Sequence, residues 1–158
     1  MIKLKSLLKE TTQENNDLAN LILYHGTNNN FNKFDLKFFN VGSGDGGWLG
    51  YGVYLTNDYE YAESYGDVLE CKVTLDNPYI LEDYAYSTQP NRLSNELNVN
   101  NSREVTNKLK EMGYDSVILT YKDETYGRVD VFDEFIEVCI FNASNIQIIE
   151  RHGQGDIQ

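Results

Sequence analysis

The chain has 158 residues, 41% of them apolar and 24% charged, and 13 basic against 25 acidic side chains give it a net charge of −12. That length fits one domain with a sizeable core, and the composition is not that of a disordered chain. The charge excludes a surface that tracks nucleic-acid phosphates broadly, which needs clustered Lys and Arg, and no apolar run reaches the roughly 18–20 residues of a membrane span.

Residues 3–19 predict a short amphipathic helix on Leu4, Leu7 and Leu8. They form an extension, 1–19, ahead of a body spanning 20–151 and a polar tail, 152–158. The start, MIKLKSLLKE, lacks the unbroken apolar stretch of a secretory signal. Cys71 and Cys139 are too few for a zinc site or a disulfide framework. A reduced, cytosolic protein with no bound metal is the expectation.

The body opens with NLILYHG, a buried strand ending at His25 and Gly26. A lone His at a strand end is more often structural than functional. Next comes VGSGDGGWLGYG, residues 41–52, which holds six of the twelve glycines. Gly42, Gly44 and Gly47 match G-x-G-x-x-G, but that motif must open a helix, and here a strand follows. No Gly-Lys-Ser/Thr is present, so a P-loop is excluded as well. What remains is either a plain connector or a loop whose backbone approaches a ligand closely; Trp48 and Leu49 favour a loop folded over something.

GVYLT, 52–56, predicts a strand. Asn57 with Glu60 reads as a capping box for a helix, DYEYAESY, closed by Gly66. Tyr54 and Tyr65 then lie on adjoining elements, either as ordinary core aromatics or as a pair able to sandwich a flat ring. VLECKVTL, 68–75, alternates as a half-buried strand, Asn77-Pro78 breaks it, and YIL, 79–81, resumes. From Asp58 to Asp83 there are eight acids and one base, Lys72, either a solvated face or a docking face for a basic partner. Residues 84–101 are polar and predict a loop. A helix follows from Arg103 to Met112, capped by Asn101 or Ser102 and stopped by Gly113.

DSVILTY, 115–121, FIEVCIFN, 135–142, and IQIIER, 146–151, complete the strands, with His152 in the tail. In the second of these, alternation puts Glu137, Cys139 and Phe141 on one face and Ile136, Val138 and Ile140 on the other. An unpaired buried carboxylate is costly, so Glu137 either meets solvent or projects into a polar cleft. Short strands with a few small helices imply an α+β fold.

The order strand-His-Gly-Thr, Gly-x-Gly-Val-Tyr-x-Thr, Ala-x-x-Tyr and Glu-x-x-x-x-Asn-x-x-x-Ile resembles the His-Tyr-Glu class of ADP-ribosyltransferases. That class includes the poly(ADP-ribose) polymerases and diphtheria-toxin-like enzymes. Gly113-Tyr114-Asp115-Ser116-Val117-Ile118 is similar to small bacterial and bacteriophage transferase domains. The resemblance covers residues 20–149. It implies a split β-sandwich of two small sheets, with NAD bound as substrate in the cleft between them. His25 would bond the adenosine ribose, and the Gly26 backbone the nicotinamide carboxamide. Tyr54 and Tyr65 would stack on the nicotinamide ring, and Glu137 would bond the 2′-hydroxyl of its ribose. Thr27, Trp48, Gly50 and Gly52 complete the implied NAD-binding set, the Gly-rich loop lying over nicotinamide and phosphates. His25, Tyr54 and Glu137 are the implied catalytic residues.

Two departures from the family pattern qualify this. Phe135 stands where arginine-modifying relatives carry a second Glu, and Ala62 lacks the nearby Ser hydroxyl of the polymerases. No large regulatory region is visible, which favours transfer of a single ADP-ribose to a macromolecule, a protein before a nucleic acid. The rival readings are an NAD glycohydrolase and a catalytically silent module binding NAD, ADP-ribose or a basic partner. A toxin and a phage effector both fit so small a build.

Overall fold

A computed structural model describes residues 18–38, 48–83, 92–121 and 136–153. Seven strands form one mixed sheet: β1 (Leu21–Thr27), β2 (Val53–Thr56), β3 (Asp67–Val73), β4 (Pro78–Asp83), β5 (Ser116–Tyr121), β6 (Ile136–Ile140) and β7 (Ile146–His152). Among the described residues the helices are α1 (Tyr59–Glu63), α2 (Arg92–Leu97) and α3 (Ser102–Glu111), with 3-10 turns at Leu36–Phe38 and Ala143–Asn145. The strand order is β4-β5-β6-β2-β1-β3-β7. Every neighbouring pair is antiparallel except β4 and β5, a parallel pair connected through α2 and α3. The fold is α+β, as the sequence implies.

The expected split appears as a seam rather than a break. β1 and β2 share one register pair, Tyr24 opposite Thr56. By contrast β1 and β3 pair from Leu21 and Val73 through to Thr27 and Asp67. The β7-β3-β1 half and the β2-β6-β5-β4 half therefore remain one hydrogen-bonded sheet, joined most thinly at this line.

Strand alternation sorts the core onto the two faces. One face buries Leu21, Leu23, Val53, Leu55, Leu69, Ile118, Ile136, Val138 and Ile140. The other buries Val117, Leu119, Cys139 and Phe141 under Leu93 of α2 and Val105 and Leu109 of α3. Each fully buried Leu or Ile contributes about 1.5–3 kcal/mol. Glu137 belongs to the second face by register, the face α1 adjoins. Cys71 and Cys139 are buried thiols outside any disulfide, and burial pushes the Cys71 thiol up to about 12.

Three sequence expectations change. The stretch 84–101 is not all loop: Arg92–Leu97 is helical, with Leu93 buried and Arg92 paired to Glu96 one turn on. The cap of α1 is Asp58, whose carboxylate accepts from the Tyr61 N–H at 3.2 Å. Asn57 is taken elsewhere, its side-chain oxygen accepting from the Ile136 N–H at 3.0 Å. His152 is the last residue of β7, opposite Val68, rather than part of a tail.

Leu18 and Ala19 belong to the body. Leu18 is buried in the core, its carbonyl accepts from the Leu75 N–H, and the Ala19 carbonyl accepts from the Thr74 hydroxyl. The rest of the proposed N-terminal helix lies outside the described residues. So do residues 41–47 of the Gly-rich segment and Phe135. No described helix is long and apolar enough to cross a membrane.

Candidate active site at the sheet seam

A cleft of about 520 Å³, measured to its open mouth, lies along the seam. Tyr24, His25 and Gly26 of β1 line it, with Tyr54, Leu55 and Thr56 of β2, Glu137 of β6, and Tyr61, Ala62 and Tyr65 from α1 and its exit. Five of the residues singled out in the sequence thus meet in one place: His25, Gly26, Tyr54, Tyr65 and Glu137.

Register explains the meeting. Thr56 stands opposite Tyr24 on one side and Glu137 on the other, and Tyr54 stands opposite Cys139. Tyr24, Tyr54, Thr56 and Glu137 therefore share one face. The end of β2 is tied to the start of β6 by two side chains. The Thr56 hydroxyl donates to the Ile136 carbonyl at 2.9 Å, and Asn57 takes the Ile136 N–H. Both ties flank the residue before Glu137, so the carboxylate has a fixed root.

His25 spans the seam. Its Nδ1 lies 2.7 Å from the Tyr54 carbonyl oxygen. A carbonyl only accepts, so Nδ1 carries a proton. Phe34 and Phe31 pack edge-on against the ring, with centroids at 5.1 and 6.4 Å. Burial holds the imidazole below its ordinary value of 6.5, and the Tyr54 hydrogen bond opposes that only in part. Near neutral pH the ring is uncharged, leaving Nε2 as an acceptor for a hydroxyl.

This has a consequence for stability. The unfolded chain protonates His25 below about 6.5 and the folded one only at lower pH, so its contribution is present above that value and lost as the pH falls through the folded value. The drop in thermal midpoint between pH 7.5 and pH 5.5 is expected to be smaller in His25→Asn than in the wild type. An equal drop in both would remove His25 as a source of acid sensitivity.

Tyr54 is held by its hydroxyl, which donates to the Gly50 carbonyl at 2.7 Å and accepts from the Leu49 N–H at 2.8 Å. The turn that receives it is anchored in turn. The Thr106 hydroxyl exchanges hydrogen bonds with the Tyr51 N–H and carbonyl, Arg103 lies 4.1 Å from the Tyr51 ring centre, and the Tyr51 hydroxyl donates to the Leu36 carbonyl. Tyr54 is thus both a packed aromatic and a cleft wall.

Thr27, Trp48, Gly50 and Gly52 do not line the cleft. Thr27 is buried and its hydroxyl accepts from the Asn29 N–H. Gly52 is packed so closely under β6 that an added Cβ would fall 2.4 Å from the Ile140 carbonyl oxygen. Gly50 forms the turn that seats the Tyr54 hydroxyl.

Tyr61 and Tyr24 line the cleft without having been singled out. Tyr61 precedes Tyr65 by four residues, a spacing that puts two side chains on one helical face. Their rings meet edge-on at 5.6 Å and their hydroxyls lie 3.2 Å apart. Tyr61 and Glu137 line the same cleft. Burial first, then the nearby Glu137 charge, pushes the Tyr61 phenol well above its ordinary value, so it stays protonated.

Outside the cleft, His152 Nε2 lies 3.3 Å from Glu70 and 3.7 Å from Glu150, a cluster of atoms a metal can also take. Tyr59 packs edge-on between this group and Tyr24.

The cleft therefore offers aromatic faces for a flat ring, a neutral imidazole for a hydroxyl, and one carboxylate where positive charge can develop. Among the described residues no cationic side chain lines it. A comparison with curated proteins finds no match. A family model described as the ADP-ribosyltransferase domain in polyvalent proteins matches residues 16–151, most of the chain, and the protein therefore belongs to this family of ADP-ribosyltransferases.

Proposed function

We propose that the protein cleaves NAD at the bond between nicotinamide and ribose and transfers one ADP-ribose to a protein acceptor. The observation that carries this reading is the convergence of His25, Tyr54, Tyr65 and Glu137 on one cleft. Tyr54 and Tyr65 present aromatic walls to the nicotinamide ring. The neutral His25 offers Nε2 to a ribose hydroxyl. Glu137 faces the sugar from which the ring departs.

When the glycosidic bond breaks, its electron pair leaves with nicotinamide and positive charge develops on the ribose, as in glycoside hydrolysis. A fixed carboxylate stabilises that charge as it forms. The acceptor's lone pair then makes the new bond to the ribose carbon, and the acceptor loses a proton. Asp58, Glu60 and Glu63 flank the cleft on and beside α1 with no base among them, which opposes a polyanionic acceptor. That supports a protein as acceptor, and we place the reaction in the cytosol.

The test is incubation of the purified protein with NAD and a bacterial lysate, followed by mass spectrometry of nicotinamide, free ADP-ribose and adducts. Adducts of a single ADP-ribose on protein are expected. Free ADP-ribose without adducts would replace transfer by hydrolysis, and intact NAD would overturn the enzymatic reading.

A further inference from the structure

Glu137 stands at the last place where β2 and β6 still pair. Their register ends with Thr56 opposite Glu137, whereas β5 runs one residue further along β6, to Thr120 opposite Ile136. β2 stops at Thr56, and the chain turns into α1, which starts at Tyr59. Ile136 is fully buried, and a buried backbone N–H or carbonyl needs a partner. On the β2 side, two side chains supply it where the strand has ended.

Thr56 and Asn57 divide the task. The Thr56 hydroxyl donates to the Ile136 carbonyl at 2.9 Å, and the Asn57 side-chain oxygen accepts from the Ile136 N–H at 3.0 Å. Both residues are buried, where water does not compete for these bonds. The Thr56 hydroxyl also accepts from the Asp58 N–H at 3.1 Å, and Asp58 in turn caps α1 through the Tyr61 N–H. Three consecutive side chains therefore close one joint between the end of β2, the residue before Glu137 and the first turn of α1. These are the elements that bring Tyr54, Glu137 and Tyr61 to the cleft.

We infer that Thr56 and Asn57 are positioning residues for Glu137, clamping the backbone of Ile136 so that the next side chain enters the cleft from a fixed place beside β2. This rests on reading Glu137 as the group that faces the ribose. A catalytic group displaced by about 1 Å loses on the order of 100-fold in rate. The Thr56 proton is committed to the Ile136 carbonyl and the Asn57 oxygen to its N–H. Loss of the clamp is therefore felt in kcat, through Glu137, before it is felt in KM.

The test is nicotinamide release by the wild type, Thr56→Val, Thr56→Ser, Asn57→Ala, Glu137→Gln and the double variant Thr56→Val/Glu137→Gln, each assayed well below its melting temperature. Valine keeps the shape of threonine and removes the hydroxyl. Thr56→Val is expected to lower kcat about 5- to 50-fold, with KM for NAD within about threefold. Thr56→Ser keeps the hydroxyl and should recover kcat to within about threefold of the wild type. Asn57→Ala takes an acceptor from the buried Ile136 N–H and should lose at least as much kcat as Thr56→Val. In the Glu137→Gln background, Thr56→Val should cost less than about twofold, because the charge that the clamp positions is already gone. Unchanged kcat in Thr56→Val overturns the role of Thr56, and unchanged kcat in Asn57→Ala that of Asn57. Thr56→Ser as impaired as Thr56→Val overturns the inference. So does a loss as large in the Glu137→Gln background as in the wild type, which a general packing role would give. If Thr56→Val does not fold, Asn57→Ala and Asn57→Ala/Glu137→Gln are compared by the same criteria. Failure of the wild type to release nicotinamide is a separate result and overturns the reading of the cleft itself.

Discussion

Glu137→Gln is expected to reduce nicotinamide release by about 100- to 1,000-fold, the scale on which removal of one preorganised electrostatic group acts. The substitution keeps the shape and removes the charge. Glutamine still fills the same place in the cleft wall, and its side-chain oxygen still accepts a hydrogen bond. Ground-state contacts to NAD are therefore nearly kept, and its dissociation constant should move by less than about threefold. The loss falls on the transition state, where the ribose carries positive charge. Stability should not suffer, because a half-buried carboxylate bears a desolvation cost that an amide does not. A thermal midpoint equal to or above that of the wild type, with kcat lost and binding kept, is the full signature. Full turnover in this variant would end the assignment of Glu137. Loss of binding together with turnover would make it a ligand-gripping residue instead.

The elements that carry this site were readable where side-chain alternation was strong. In FIEVCIFN the odd and even residues separate onto the two faces that the structure occupies, with Ile136, Val138 and Ile140 in one core and Cys139 and Phe141 in the other. Local patterns failed where long-range partners decide. Asn57 and Asp58 are both competent caps. The buried Ile136 N–H needs an acceptor and takes Asn57, which leaves the helix to Asp58. The helix Arg92–Leu97 buries only Leu93, so periodicity gives it no signature and packing against the sheet supplies it instead. Tyr61 was one of 12 tyrosines. Its spacing from Tyr65 is a local signal, but its place in the cleft depends on strands far along the chain. The glycines of the Gly-rich segment read either as a connector or as a ligand-covering loop; most of it lies outside the described residues, and its described end holds the Tyr54 hydroxyl, a long-side-chain contact that glycine spacing does not announce.

Gly26→Val is the substitution expected to dismantle the cleft as a whole. A Cβ built at Gly26 would lie 1.9 Å from the Ala62 carbonyl oxygen and 2.9 Å from the Tyr65 Cβ. Both atoms belong to the α1 segment, and the first is backbone, which cannot swing aside as a side-chain tip can. The helix must therefore lift from β1, carrying Tyr61, Ala62 and Tyr65 away from Tyr54 and Glu137. Overpacking of this kind costs about 1–3 kcal/mol of stability, and the cost falls on the wall of the site. NAD binding should weaken more than tenfold, on the order of the 1.4 kcal/mol that each factor of ten represents. Gly113→Ala supplies the contrast. Gly113 sits at φ +96° after α3, where an added Cβ has no atom nearer than 3.9 Å. Alanine there is strained by about 1 kcal/mol but leaves α1 in place. The two variants should thus lose comparable stability while only Gly26→Val loses NAD affinity, measured by titration beside a thermal melt. Equal affinity in both would mean that the seating of α1 on Gly26 does not shape the binding site.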